Sequence, residues 1–186
     1  IPSANLIAKV VSGGGKVNDQ DSLRIQTDAS GQASVTLRLG LVSGDMNQRI
    51  VIRSADYDLQ PAEFIATALP AAAASVTAVG DLAFYEKPVA QAPIQVMVRD
   101  AYGNPRPGHP ITFAAVSGNG HFDANQNSMQ ATTNASGVAT ANYTMGTLSN
   151  VENILNVSGT QNSGEPLSGS PITFIGRVIP GEPSQL

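Results

Sequence analysis

The sequence repeats itself at a spacing of about one hundred residues, and this repeat limits what the chain can fold into. The motif at Ser12–Val17 (SGGGKV) recurs 105 residues later at Ser117–Phe122 (SGNGHF). A second motif at Thr27–Ala33 (TDASGQA) recurs 106 residues later at Thr133–Ala139 (TNASGVA). This period is too long for a solenoid repeat, so it predicts a tandem array of whole domains.

A third match shows that the two copies differ in length. Phe64–Ala66 (FIA) recurs as Phe174–Gly176 (FIG), at a spacing that has grown to 110 residues. The growth in spacing predicts a longer segment near residues 159–170 of the second copy.

The boundaries of the two copies do not coincide with the ends of the chain. Pro2 aligns with Pro107, so the first copy starts about 36 residues into its domain. We predict a domain at 1–69 that lacks its first strands, a complete domain at 70–178, and a linker or the start of a next domain at 179–186.

A domain without its first strands has an open sheet edge and an uncovered core. Three explanations are open at this stage. The chain is a fragment, or it is a window of a longer protein, or another subunit supplies the missing strands, as in donor-strand assembly.

The stretch between residues 94 and 113 predicts two strands joined by a rigid polar corner. Ile94, Val96 and Val98 alternate with polar or flexible residues, which is the period of a strand with one buried face. Residues 100–105 (DAYGNP) then break the run, because Asp accepts backbone hydrogen bonds, Gly permits a positive φ and Pro cannot continue a ladder. A second strand opens at Ile111, and no helix signal is present in this stretch.

The second copy as a whole predicts a β-sandwich. Turn residues are frequent, with 18 Gly and 12 Pro, and the chain has no Cys, so disulfides are excluded. Apolar residues recur at every second position in short runs about ten residues apart, which is typical of a Greek-key sandwich. The predicted strands lie at 75–80, 93–100, 110–117, 128–133, 137–146, 152–159 and 171–178.

Composition and charge argue against several classes of function. The net charge is −4 and the ten Lys and Arg residues are scattered, so we do not expect nucleic-acid binding. The sequence has no apolar run long enough to span a membrane. It also shows no nucleophile elbow and no phosphate-binding loop. We therefore predict no catalytic residues and no cofactor.

The polar residues that could hold a metal are better explained by turns. His109 and His121 are the only histidines, and we expect both to be exposed in turns. Oxygen-bearing side chains occur at Asp100 and Asn104 and again in the loop 123–127 (DANQN), but calcium loops usually carry more carboxylates. We therefore predict no metal ligands and interpret these residues as hydrogen-bonded corners and loops.

Taken together, these motifs resemble the group 1 bacterial Ig-like domain, the family of the extracellular repeats of invasin and intimin. The resemblance covers the second copy throughout and the first copy from Pro2 to about Ala68, where the GNP corner is missing. It rests on the following residues: Val98–Pro105 (VRDAYGNP), Gly108, Ile111–Phe113, Gly118, Gly120, Thr133, Gly137 and Ala139.

The resemblance implies an all-β chain of tandem Ig-like sandwiches that is not an enzyme. It implies a spacer or stalk in a bacterial surface adhesin or extracellular filament, outside the cell. The partners would be other domains or subunits of the same protein. The alternative is an adhesin binding module that contacts a cell-surface receptor or glycan, for which exposed Tyr57, Phe84 and Tyr85 are candidate contacts; such residues also plug the ends of sandwiches.

Overall fold

The computed structural model describes residues 1–180, which form two compact units, Ile1–Pro70 and a second that begins at Ala71. Both units are built from β-strands, and the only helical element in the described part is a short 3₁₀ turn at Asp123–Asn125. The predicted all-β fold of tandem Ig-like sandwiches is confirmed. Most of the predicted linker or start of a next domain, residues 181–186, lies outside the described residues.

Unit 1 contains six strands in two sheets. Its larger sheet has the order β3-β1-β5-β6, and its smaller sheet is the pair β2-β4. The strands are β1 Asn5–Ser12, β2 Lys16–Val17, β3 Ser22–Gln26, β4 Leu37–Arg38, β5 Gly44–Ser54 and β6 Ala62–Ala68.

Unit 2 contains nine strands in two sheets, one of order β12-β10-β14-β15-β8 and one of order β11-β13-β9-β7. Neighbouring strands are antiparallel except β15 and β8, which are parallel. The strands are β7 Ala73–Ala78, β8 Ala83–Glu86, β9 Gln91–Asp100, β10 Pro110–Ser117, β11 His121–Phe122, β12 Ser128–Thr132, β13 Val138–Thr144, β14 Asn153–Ser158 and β15 Ile172–Val178.

The chain of unit 2 crosses between its sheets after every strand from β7 to β13, and only β14 and β15 follow each other in one sheet, as in the Greek-key pattern of an Ig-like sandwich. All seven strands predicted for this unit are present, each within two residues at either end. Two short strands were not predicted, β8 and β11. Alternation cannot identify a strand as short as β11, and β8 joins the sheet only at its edge, beside β15.

The core of unit 2 lies between its two sheets. Ile94, Val96 and Val98 are each at most 2% exposed, so the inward face predicted for β9 is confirmed. Phe122 packs edge-to-face against Phe113 and Tyr143, with ring centroids 6.3 Å and 5.1 Å apart. Such aromatic pairs stabilise a core beyond the area that they bury.

Unit 1 repeats the second part of unit 2 without its first part. Its strands β1 to β6 correspond in order and sheet position to β10 to β15. Within residues 1–70, all of which the structure describes, no strand takes the places of β7, β8 and β9. The buried core is correspondingly small and consists of Ala8, Val17 and Ile50, with five half-buried apolar residues against it.

No helix within residues 1–180 is both long enough and apolar enough to cross a membrane.

One pair of equivalent residues makes the difference between the two units measurable. Phe174 is 2% exposed in β15, whereas Phe64, at the same place in β6, is 57% exposed. We expect Phe174→Ala to lower the free energy of unfolding by about 3–5 kcal/mol, because it removes a buried ring and leaves a cavity. Phe64→Ala should change it by roughly 0.5 kcal/mol or less.

The measurement is urea unfolding of each variant of the whole chain, followed by circular dichroism. Equal losses of stability in the two variants would contradict the difference in burial.

Candidate functional sites: the Asp100 corner and the open face of unit 1

Asp100, at the end of β9, is a densely hydrogen-bonded polar side chain of unit 2. The residue is 3% exposed. Its Oδ1 accepts hydrogen bonds from the backbone N–H groups of Tyr102 and Asn104, at 2.9 Å and 2.8 Å. Its Oδ2 accepts from the backbone N–H of Ala71 and from Nδ2 of Asn104, at 2.9 Å and 2.8 Å. One carboxylate thus closes the corner after β9 and holds the first residue of unit 2.

The local sequence explains why the chain turns at this point. The backbone N–H of Gly103 donates to the carbonyl of Asp100 at 3.1 Å, and Gly103 has a φ of 84°. Glycine adopts this left-handed conformation without steric penalty. The corner predicted from DAYGNP therefore depends on the acceptor oxygens of Asp100 and the conformational freedom of Gly103.

The hydrogen bonds around Asp100 outweigh the effect of its burial. Burial by itself raises the pKa of the Asp100 carboxyl, but hydrogen bonds from Asn104, Ala71 and Tyr102 lower it, and the net pKa lies below its ordinary value of 3.8. A carboxyl whose pKa is lowered on folding stabilises the folded state above its unfolded pKa of about 4. This contribution is lost as the pH falls through the lowered pKa.

The side chains weighed as calcium ligands do not converge in the described residues. Within residues 1–180, no group of three or more acidic or histidine side chains is close enough to hold a metal ion. The oxygens of Asp100 already accept four hydrogen bonds, which a cation would have to displace. The loop 123–127 forms the 3₁₀ turn and is exposed.

The expectation that both histidines are exposed in turns is wrong for His109, which is only 7% exposed. Its backbone N–H donates to Oγ1 of Thr133 at 2.8 Å, and its carbonyl accepts from the N–H of Thr133 at 3.0 Å. Burial lowers the pKa of His109 below its ordinary value of 6.5, and the nearby positive charge of Arg106 acts in the same direction. His121 is half-buried.

Two buried polar residues that sequence reasoning missed occupy equivalent places in the two units. In unit 2, Oδ1 of Asn153 accepts from the N–H of Gly120 and from the hydroxyl of Tyr143, both at 3.1 Å. In unit 1, Gln48 accepts from the N–H of Gly40 at 2.9 Å.

Gln48 also donates to the carbonyl of Gly13, at 3.0 Å. The sequence could have identified both residues, because each is a polar residue at an inward-facing position of an apolar strand, beside a glycine-rich turn. Each side chain ties a turn to the strand that carries the core.

Unit 1 has an apolar sheet face that is not covered within residues 1–70. This open face borders a groove of about 320 Å³. In β13, β14 and β15 of unit 2, the equivalent positions are all at most 2% exposed. Ser34 also lines the groove, and the apolar residues of the open face are Ala33, Val35, Leu37, Ile52, Phe64 and, at its border with the small core, Ile50.

The edge beside this face is also different in the two units. Residues 138–144 form β13 and pair along their whole length with β9. Their equivalents, residues 32–38, form only the two-residue strand β4, which pairs with β2 on its other side. The strand is shorter because the chain that would pair with it is not among residues 1–70.

The three aromatic residues considered as partner contacts differ in exposure and surroundings. Tyr85 is 58% exposed, and its hydroxyl accepts from Arg177 at 3.2 Å. Arg177 also donates to Glu152, through Nε at 2.9 Å. Tyr57 is an exposed residue of unit 1, while Phe84 is half-buried and packs against the core of unit 2.

The Asp100 corner generates a first prediction. Asp100→Asn keeps the size of the side chain but turns an NH₂ group toward backbone N–H donors. We expect the free energy of unfolding of unit 2 to fall by about 2–3 kcal/mol, because buried donors lose a charged acceptor. The control is Asp81→Asn at an exposed position, which should change stability by less than roughly 0.5 kcal/mol. Chemical denaturation of both variants checks this, and a neutral Asp100→Asn would refute it.

His109 generates a second prediction, about pH. Its lowered pKa means that the unfolded chain binds the proton more tightly, so stability is present above about pH 6.5 and is lost as the pH falls through the folded pKa. The denaturation midpoint should therefore decrease between about pH 7.5 and about pH 5. His109→Gln should reduce this decrease, whereas His121→Gln should preserve it. The opposite assignment between the two variants would show that His109 is not the titrating group.

Comparison with known proteins agrees with this geometry. Residues 88–175 match the sequence model of the family described as bacterial Ig-like domain (group 1). No curated protein matches the chain.

Several solved structures are similar to the chain. Domains 4 and 5 of the S-layer protein SbsC share 9% identity at a TM-score of 0.44, with 93% of this chain and 98% of that one covered. The adhesin InvE of Yersinia pseudotuberculosis shares 19% at a TM-score of 0.40, and the D00–D0 domain of intimin 16% at 0.37.

The alignment with InvE covers 94% of this chain and 49% of that one, so the chain spans about half of the InvE structure. For intimin the covered shares are 89% and 84%. Similarities at this level carry no conclusion about function. The sequence match, the Greek-key topology of unit 2 and the Asp100 corner agree, and residues 88–175 of unit 2 have the sequence of a group 1 bacterial Ig-like domain.

Proposed function

We propose that this chain is a structural spacer, a stalk segment of tandem Ig-like domains in a bacterial surface adhesin or extracellular filament. It acts outside the cell, it extends the protein that contains it, and it converts no substrate. Its partners are other domains or subunits of the same protein. The family match of residues 88–175 agrees with a structural or adhesive role at the bacterial surface.

This proposal rests on one observation, which is what the buried polar side chains bind. A catalytic site needs reactive groups that converge in a cleft and remain available to a substrate. In the described residues, the carboxylate of Asp100, the amide of Gln48 and the amide oxygen of Asn153 bind turns of their own unit. These side chains therefore fix the shape of each sandwich, which is what a spacer requires.

Solution scattering of the whole chain tests the proposal. A spacer predicts an elongated particle, whose distribution of interatomic distances has a long tail beyond that of a single sandwich. The chain should also fail to adhere to host cells by itself. A compact particle would contradict the spacer.

One observation favours a binding module as a second candidate. The ring of Tyr85 is exposed, and the guanidinium group of Arg177 lies 5.9 Å from its centroid. An exposed ring beside a charged group is a surface that can stack on a sugar. Cell or glycan binding that is lost in Tyr85→Ser and kept in Tyr57→Ser would favour this candidate over the spacer.

A further inference from the structure

We propose that the outward face of the larger sheet of unit 1 binds a linear acidic polysaccharide. This inference goes beyond the proposed spacer, because it gives the chain a ligand that a structural role does not require. Four exposed cations, Lys9, Arg24, Arg49 and Arg53, define this cationic face.

The pairing of the strands brings together cations that are scattered in the sequence. In the register of β1 with β3 and β5, Ile7 lies opposite both Arg24 and Arg53. Side chains directly opposite each other point to the same face of a sheet, so the two guanidinium groups flank Ile7. Their strands are two apart in the sheet, which separates their backbones by about 10 Å.

The other two cations extend the same face along the strands. Lys9 lies two residues beyond Ile7 in β1, and Arg49 lies four residues before Arg53 in β5. Side chains an even number of residues apart in a strand share a face, so both of these cations also point outward. Four of the ten Lys and Arg residues of the chain therefore lie on one sheet face.

Most of this positive charge has no acidic partner. Within residues 1–180, Lys9, Arg24 and Arg53 form no ion pair, whereas Arg49 pairs with Glu63 of β6. Between Arg49 and Arg53 the face thus carries four positive charges and one negative charge, or +3, in a chain whose net charge is −4.

Two more carboxylates lie at the ends of β5, beyond the cations. Asp45 accepts a hydrogen bond from the hydroxyl of Thr67 at 2.7 Å. Asp56 accepts from the backbone N–H of Asn5, also at 2.7 Å. Both carboxylates are therefore bound to their own unit and leave the centre of the face cationic.

Aliphatic side chains lie between the cations. Ile7, Val11 and Val51 line a shallow groove of about 210 Å³, together with Lys9 and Arg53. The C–H faces of sugar rings pack on apolar side chains, and guanidinium groups form paired hydrogen bonds with oxyanions such as carboxylates. A groove of this composition fits a chain of sugars that carries carboxylate or sulfate groups.

Unit 2 has the same face without the charges. The matching strand registers identify the equivalent residues, which are Ala114 for Lys9, Gln130 for Arg24, Ile154 for Arg49 and Ser158 for Arg53. The same sheet therefore forms in unit 2 without any of the four cations, so folding does not explain their presence in unit 1.

The cationic face is open in a way that does not depend on strands equivalent to β7, β8 and β9. In unit 2, β7 and β9 lie in the opposite sheet and β8 lies at the edge. On the outward face of that unit, Val116 is still 60% exposed, and its equivalent Val11 is 48% exposed. A unit with all of these strands thus leaves this face accessible to a ligand.

The side chains favour a polysaccharide over a nucleic acid. Sheets that bind single-stranded nucleic acids stack the bases on exposed aromatic side chains. Among the described residues, the outward positions of β1, β3, β5 and β6 carry no aromatic side chain. A double helix is read by an α-helix or a two-stranded ribbon in its major groove, and a four-stranded sheet is wider than such a ribbon.

Binding of two acidic polysaccharides to the whole chain tests the proposal. Heparin carries sulfate groups and polygalacturonate carries only carboxylates, so the pair shows whether sulfate is required. Titration calorimetry should detect binding of heparin or of both at about 20 mM salt, and the affinity should fall about tenfold or more at about 150 mM salt, because binding releases counterions. Neutral dextran should not bind. The proposal is overturned if neither acidic polysaccharide binds at the lower salt concentration.

Two double variants separate the cationic face from the charge of the whole chain. Arg24→Gln with Arg53→Gln should weaken binding by about tenfold or more, because two contacts with the polyanion are lost. Arg38→Gln with Lys87→Gln removes the same charge elsewhere and should weaken binding by less than about threefold. All four positions are exposed, so urea unfolding should show unchanged stability. Equal losses of affinity in the two double variants would overturn the proposal.

Acetylation of lysines locates the bound polysaccharide, because the chain has only three, Lys9, Lys16 and Lys87. Saturating heparin should slow the acetylation of Lys9 more than that of Lys87, as measured by mass spectrometry of peptides. Protection of Lys87 instead of Lys9 would place the polysaccharide on unit 2 and contradict the proposal.

Two further measurements test the choice of ligand and of surface. A single-stranded oligonucleotide, at the same concentration of negative charge, should bind more weakly than the polysaccharide, and equal or tighter binding would overturn the proposed ligand class. Tyr85→Ser should leave binding unchanged, and loss of binding in this variant would assign the polysaccharide to the Tyr85 surface.

The tests of the spacer are separate from these outcomes. A contact of one chain that is screened by salt should not retain a cell at about 150 mM salt, so the adhesion test of the spacer is unaffected. The scattering test measures shape alone. The two proposals can therefore fail separately.

Discussion

Each sheet of these units needs another sheet to cover its apolar face, and the rest of the structure depends on this constraint. Unit 2 meets it within its own residues, because β7, β9 and β13 close over β10, β14 and β15. Unit 1 has β1, β5 and β6, the equivalents of β10, β14 and β15, but of the covering strands it has only the short β4, the equivalent of β13. The alternation of apolar residues that builds a core in unit 2 therefore leaves an apolar surface in unit 1. Burial of apolar area, at about 25 cal/mol per Å², is what makes this difference matter.

The sequence was sufficient for the features that depend on periodicity. Alternation in β9, β10 and β13 identified their inward residues, and the repeat identified unit 1 as the counterpart of the second part of unit 2. The burial of His109 was not predictable, because a histidine between Gly108 and Pro110 indicates an exposed turn, whereas its backbone bonds to Thr133 hold it against the sandwich. Long-range contacts of this kind leave no local signal.

The two units also show that one backbone turn can be stabilised by different side chains. Oδ1 of Asp28 accepts from the N–H groups of Ser30 and Gln32 at 2.8 Å and 2.9 Å. Oδ1 of Asn134, its equivalent, accepts from Ser136 and Val138 at 2.9 Å and 3.1 Å. The turn requires an oxygen acceptor at this position and not a charge. The motif therefore predicts the same turn whether it contains Asp28 or Asn134.

The bond between Asp100 and Ala71 has a mechanical consequence. Ala71 follows directly on Pro70, so in the proposed spacer tension along the chain enters unit 2 at this residue. β7, the first strand that it meets, lies at the edge of its sheet, with β9 on one side and only the short bridge to Ser168 on the other. The carboxylate of Asp100 diverts part of that pull to β9, which has a neighbour on both sides. A single side chain thereby distributes the force between an edge strand, β7, and an interior strand, β9.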